Sequence, residues 1–465
     1  MFSSRWSALA LVVAAVLAAC SDNATTPTSP RSPYAAPHAS VGVDPTLVLA
    51  VRQLAAQRGI VPLARPAPVR QELVTLGQAL IFDPILSGNR NIACTTCHLP
   101  GFATTDGRSL SVGEGGAGFG PARTPPQGVF IPRNAPPLFN LAALKHLFWD
   151  GRVQVDGTGQ LQTPAGAQLT PDMVRVFEFG PASALGLFPV TNRAEMRGQV
   201  ASGNELAAIP DNDLPSIWRA LMSRLGQIPQ YRDLFEAAYP GQRFDNMTFA
   251  HASNAIAGFM VDQLSFNNSP WDRFIRGNDQ ALTTAQLVGA QTFLSLKCSI
   301  CHNGATFSDD QFHDVAVAQI GPGEGDGVGG HDDFGRIRVT SDPADRYRFR
   351  TTPLRNVELT GPYGHDGAIA SLRAFVAHYS QSDQKLLTFD PSTLEPALQG
   401  TLQPNAADIL AQRDTLLNGV VLSDDIVNRL MDYMLALTDD AARNLSRIVP
   451  ARVPSKLPMQ PPAHQ

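Results

Sequence analysis

Two stretches of the chain set cysteines beside a histidine at a spacing that can carry a redox cofactor. Cys94-Thr95-Thr96-Cys97-His98 and Cys298-Ser299-Ile300-Cys301-His302 each place two thiols three residues apart, with an imidazole directly after the second. This is the attachment signature of a c-type haem, in which the thiols add across the haem vinyls and the imidazole takes the iron from one side. The same residue types also make redox dithiols and zinc knuckles. Four of the five cysteines fall into two complete signatures, which argues against coincidence. A shared four-cysteine zinc site usually gathers its pairs within one small module, whereas these pairs lie far apart and each brings its own histidine. Two covalently bound haems are the expectation.

The elements around each signature follow one pattern. Leu73, Leu76, Gly77, Leu80 and Ile81 recur at helical spacing and lead into the first signature, with Asp83-Pro84 ending the helix. Leu287, Ala290, Phe293 and Leu294 do the same before the second. A Gly-rich loop follows each, Gly113 to Gly118 and Gly321 to Gly330; no Lys-Ser or Lys-Thr pair follows the first, so it does not read as a phosphate loop. Further helices are expected at Asp44 to Ala55, Leu214 to Leu225, Ala250 to Leu264, and from Ser423 through Ile426, Leu430, Tyr433 and Leu437. The stretches 101–137 and 154–171 read as irregular loops. The fold class is all-α, with two cytochrome c-like haem domains and long irregular loops, at 44–245 and 246–445, and a loose Pro-rich tail at 446–465.

The N-terminus carries Arg5, an apolar run from Ala8 to Ala19, and Leu17-Ala18-Ala19-Cys20. That is an export signal (1–20) with a lipoprotein-type cleavage box, its apolar run too short to span a bilayer. Cys20 becomes the lipidated first residue, Ser21 does not resemble an inner-membrane retention signal, and 21–43 is a flexible tether. A periplasmic location is expected, anchored by lipid and at the outer rather than the inner membrane. With 36 Lys and Arg against 41 Asp and Glu and no basic run, nothing points to nucleic acid.

Longer strings carry a resemblance. Leu76-Gly77 through Phe82-Asp83-Pro84, Arg133-Asn134-Ala135-Pro136, Phe148-Trp149-Asp150-Gly151-Arg152, Glu195-Met196, Phe349 to Asn356 and Pro362-Tyr363-Gly364-His365-Asp366-Gly367 together resemble the bacterial di-haem cytochrome c peroxidase family, including its MauG-type branch. The resemblance implies a role for several residues. Typical members close the first iron with a histidine in the following loop; none lies between His98 and His146 here, so that iron is expected to be open. Tyr379 matches the distal ligand of the second haem, Glu195 the acid–base group, and Trp149 the tryptophan between the haems. Asn134, Thr360 and Pro362 match the ligands of one Ca2+. Leu185 stands where the MauG-type pattern has glutamine. His313 and His378 read as polar neighbours, and Met431 and Met434 as core. The implied activity is reduction of hydrogen peroxide with electrons from a small cytochrome c or cupredoxin. Peroxide-driven oxidation of a partner protein's side chains, as in the MauG-type branch, is the alternative, and non-enzymatic electron transfer a third.

Overall fold

The computed structural model describes residues 43–125 and 129–459. The export signal, Cys20 and the tether up to 42 lie outside them. No helix among the described residues is long and apolar enough to cross a membrane.

The longer helices are α1 (Pro45–Gln57), α2 (Gln71–Phe82), α3 (Leu214–Gly226), α4 (Pro229–Ala238), α5 (Phe249–Gln263), α6 (Thr284–Ser295), α7 (Leu372–His378) and α8 (Asp424–Ala436). Their starts are chemically marked. Asp44 accepts the Thr46 N–H at 2.8 Å ahead of Pro45, Asp213 caps α3, Thr283 and Gln286 form a capping box on α6, and Ser423 caps α8 with Asp424 and Asp425 in the first turn.

Two large hydrophobic cores result. The first gathers α2, α3, α4 and α5; the second gathers α1, α6 and α8. Each core is centred on a helix crossing beside a haem signature, α2 on α5 and α6 on α8. Glycine permits both close approaches: a Cβ at Gly77 would collide with the Ala255 carbonyl, and one at Gly289 with the Arg429 carbonyl. Helix α1 precedes the first signature in sequence but packs on α6 in the second core, through Val48, Val51 and Ala55.

Two segments depart from expectation. The excursion beyond His146 contains a small antiparallel sheet, β1 (His146–Leu147), β2 (Val153–Val155) and β3 (Leu161–Gln162), in that order. Strands of two or three residues are too short to show an alternating pattern. The tail expected to be loose is docked as far as it is described. Ile448 and Val453 are buried in the first core, and Ser455 donates to Asp83 at 2.6 Å. Asp83 also accepts from Tyr231 at 2.7 Å and caps the turn after α2, so the tail fastens beside the first signature.

The two cores are joined by arginines. Arg133, 6% exposed, places two nitrogens on Asp333 at 2.6 and 2.8 Å and a third on Asp150 at 2.6 Å. Arg336 donates to the Asp150 carbonyl at 2.9 Å and to Gln154 at 2.7 Å, and Arg108 makes a bidentate pair with Glu395. Burial alone would raise the Asp150 carboxyl, but Arg133 and Arg152 hold it at about 2. Its folded value lies below the ordinary 3.8, so the stability it contributes is complete above that value and is lost as pH falls towards 2. Replacing Arg133 by Met leaves the buried Asp333 carboxylate without its ion-pair partner and Asp150 with Arg152 alone, and should destabilise the protein by about 3–5 kcal/mol, read by denaturant unfolding of the holoprotein; a loss under about 1 kcal/mol would show that the network carries little.

Candidate functional site

Both signatures begin on a short helical turn, Cys94–Thr96 and Cys298–Cys301. In each, the histidine that follows donates its Nδ1 proton to a backbone carbonyl: His98 to Thr104 at 2.9 Å, His302 to Phe307 at 3.0 Å. A carbonyl can only accept, so the hydrogen bond selects the tautomer whose Nε2 carries the lone pair, the arrangement a metal-binding imidazole requires. Burial pushes both imidazoles to lower pKa, favouring the neutral ligand form.

Burial pushes the Cys94 and Cys97 thiols up to about 12 and the Cys298 thiol up to about 11.

A cavity of about 460 Å³ lies against the second signature, lined by Cys298, Cys301 and His302. Leu372, Phe375 and Val376 of α7, with Tyr379 just after it, form one wall, and Leu430 and Met434 of α8 form part of another. Among the described residues, two buried guanidinium nitrogens of its lining have no partner, Arg350 Nη1 and Arg355 Nη2. An apolar cavity with attachment thiols, a prepared imidazole and unsatisfied donors fits a haem, which is apolar over its faces and carries two carboxylates. Burial and the nearby Cys301 and Cys298 sulfurs raise the Tyr379 hydroxyl above an ordinary phenol.

Trp149 and Asn134, from the first half, line this same cavity, as do Thr360 and Pro362. The Trp149 indole donates to the Asn134 carbonyl at 2.8 Å. The Asn134 side-chain nitrogen donates to the Arg108 and Ser109 carbonyls, which leaves its oxygen as the atom able to meet a cation. Met431 is buried in the second core. His378 donates Nε2 to the Val315 carbonyl at 2.8 Å. His313 lies between Asp309 at 3.0 Å and Asp414 at 2.6 Å. Burial would lower its pKa, but the hydrogen bonds to Asp309 and Asp414 raise it, and both ring nitrogens are engaged. Cys301, Asp309 and His313 stand close enough to share a metal ion, but the haem signature claims the thiol and the carboxylates claim the ring.

Glu195 sits on the π-type turn Arg193–Arg197, capped by Asn192, which accepts from the Ala194 and Glu195 N–H groups at 2.8 and 3.1 Å. Burial raises its pKa, Arg152 opposes the shift, and Glu324 adds to it. The charge of Glu195 acts in turn on both Cys94 and Cys97. The turn is tied to the first Gly-rich loop by the Glu114 N–H donating to the Ala194 carbonyl at 2.9 Å. Arg152 lies 4.1 Å over the Phe148 ring and 3.2 Å from Asp150. Leu185 ends a short helix, Pro181–Leu185, against the first core. Arg152 and Glu324 were not singled out in the sequence. Arg152 lay inside a recognisable string and Glu324 inside the second Gly-rich loop, but neither has a local pattern that announces a partner so distant in the chain.

Comparison with known proteins places the chain in a family. Residues 71–280 match the family model described as di-haem cytochrome c peroxidase. The cytochrome c551 peroxidase of Pseudomonas aeruginosa is 30% identical over 67% of this chain and 73% of its own length. The chain belongs to the di-haem cytochrome c peroxidase family. The methylamine utilization protein MauG of Methylorubrum extorquens, also in this range, is 29% identical over 70% of this chain and 73% of its own. Among solved structures, a MauG-like protein associated with microbial copper homeostasis superposes with a TM-score of 0.58, at 24% identity over 84% of this chain and 96% of that one. The di-haem peroxidase BthA of Burkholderia thailandensis does so at 0.52, with 20% identity over 82% and 88%. The mostly helical fold is thus that of di-haem peroxidases and MauG-like proteins.

Family membership implies two c-type haems. Replacing Cys298 and Cys301 together by Ala should lower the covalently bound haem from two per chain to one, read by intact mass and pyridine haemochrome; two retained haems would remove the second signature from consideration.

Proposed function

We propose that this protein reduces hydrogen peroxide to water at the haem of Cys94, Cys97 and His98, with electrons delivered by a small cytochrome c or cupredoxin through the haem of Cys298, Cys301 and His302. The observation that carries this reading is Glu195, a carboxyl raised by burial and within charge range of both thiols of the first signature. A lone surface glutamate would have neither property.

The haems supply redox-active iron and hold the oxidising equivalents. Glu195 accepts the proton from one peroxide oxygen and returns it to the other, which leaves as water; two electrons and two protons per peroxide complete the balance to two waters. Arg152 restrains the Glu195 pKa from rising further and Glu324 opposes it, so the carboxyl can both take and give a proton. Trp149, packed and hydrogen bonded at the cavity wall, offers an oxidisable ring between the two centres. Tyr379 is assigned as the distal ligand of the second haem, and Asn134 with the Thr360 and Pro362 carbonyls as a Ca2+ site made of oxygen alone. In outline, each hydrophobic core with its signature is one haem domain, with α1 serving the C-terminal one and α5 the N-terminal one. Export to the periplasm and lipid anchoring at Cys20, at the outer membrane, rest on the first twenty residues.

A second reading is favoured by Tyr379 in the second cavity and by the lack of a histidine between His98 and His146. In it the same oxidising equivalents are spent on side chains of a partner protein. The two readings separate in one measurement. A peroxidase turns over peroxide continuously with a reduced small cytochrome or copper protein; a long-lived oxidised state that no such donor discharges assigns the protein to the second class.

Glu195→Gln should slow peroxide consumption by about 10²–10⁴-fold with both haems still attached. Because the carboxylate form takes the proton, the wild-type rate should fall as pH drops through the raised Glu195 pKa, and this acid limb should vanish in the variant. Unchanged kinetics would take Glu195 out of the mechanism.

A further inference from the structure

Arg350 is 7% exposed, on the two-residue strand Phe349–Arg350, and lines the second cavity. Its backbone N–H donates to the Trp149 carbonyl at 2.9 Å and its Nε to the Phe148 carbonyl at 3.3 Å. Its Nη1 is buried with no partner among the described residues. Arg355 Nη2, in the same cavity wall, is also buried without a partner among the described residues, but several other buried arginines spend their nitrogens within the protein. Arg123 spends its nitrogens on the Val112, Gly118 and Gly113 carbonyls, Arg133 on two carboxylates, and Arg336 on the Asp150 and Gly151 carbonyls and Gln154. Arg355 itself already has Asp272 at 2.7 Å. Burial lowers the Arg350 pKa to about 10, with Asp310 opposing the shift, so the side chain is still a cation at neutral pH.

A buried cation without an acceptor is costly enough that proteins supply one. The cavity it borders is the one whose wall holds the second attachment signature, and the group attached there carries two carboxylates. We propose that Arg350 pairs with a carboxylate of the haem held by Cys298 and Cys301, and that its bonds to Phe148 and Trp149 fasten the segment between the two centres to that haem. A guanidinium suits this double task because its planar fork meets a carboxylate on one edge and a carbonyl on another. The competing acceptor is Asp310, whose Oδ1 is also buried without a partner. The inference rests on the reading of the second signature as a haem site, and Arg350 acts as a positioning residue.

The test uses the full-length holoprotein as wild type, Arg350→Lys and Arg350→Met. Haem is counted by mass and haemochrome, and each haem's reduction potential is followed by spectroelectrochemical titration. A positive charge beside a haem favours its reduced form, so Arg350→Met should lower the potential of the second haem and leave the first in place, while Arg350→Lys should recover most of the shift. Two haems with an unchanged second potential in Arg350→Met would reduce Arg350 to a clamp on Phe148 and Trp149 and overturn the proposal. Should Arg350→Met fail to retain haem, the crystal structure of the wild-type holoprotein decides: Nη1 on a haem carboxylate upholds the pairing, and Nη1 on Asp310 overturns it. A single haem in the wild-type protein would instead overturn the reading of the second signature.

Discussion

One buried guanidinium, Arg133, holds the chemistry-bearing segments of the two halves against each other. It engages Asp333 from the second half and Asp150 from the first, with Glu324 at 3.5 Å. Asp150 follows Trp149 directly and also holds Arg152, while Arg152 and Glu324 are the two charges that act, after burial, on the ionisation of Glu195. A displacement of Arg133 would therefore reach Trp149 and Glu195 together. Apolar side chains of the same volume would hold such an interface as firmly, since ionic pairs recover little more than their own desolvation. What charges add is direction: each nitrogen of the fork accepts one carboxylate in one geometry, and a site assembled from distant segments needs that.

Within each half the constraint is steric. The helix preceding each signature crosses its partner at a glycine, Gly77 over Ala255 and Gly289 over Arg429, which brings backbones closer than side chains would permit. Each signature then turns back so that its histidine meets a carbonyl a few residues on. The same solution appears twice, as expected of a duplicated unit, but the surroundings diverge. The first signature lies within the field of a carboxyl on a capped turn; the second faces a cavity walled by Tyr379 and by residues from both halves. Two like cofactor sites are thereby given unlike environments, and ligation, charge and access are the means by which a protein tunes such a group.

The parts of this protein legible in the sequence are those whose chemistry or periodicity is local. A thioether-linked haem needs its thiols and imidazole on one turn, so both signatures stand out. Helices α6 and α8 bury one face each, and a face repeats every three to four residues, whereas α5 is buried all round from Phe249 to Val261. The three short strands had too few residues to show a period, and the tail gave no sign of docking because Asp83, Tyr231 and Ser455 meet only after folding.

Residue type and spacing by themselves determined the cofactor signatures, the helical class and, through the longer strings, the family. Only the tertiary structure decided which charges meet: that Glu324 reaches the field of Glu195, that α1 serves the second core, and that Arg350 is left with a bare nitrogen in the second cavity. The reason is physical. Covalent attachment and helical burial act over a few residues, whereas the pKa of a carboxyl and the pairing of a buried cation depend on whatever the folded chain brings within a few ångströms, from any distance along it.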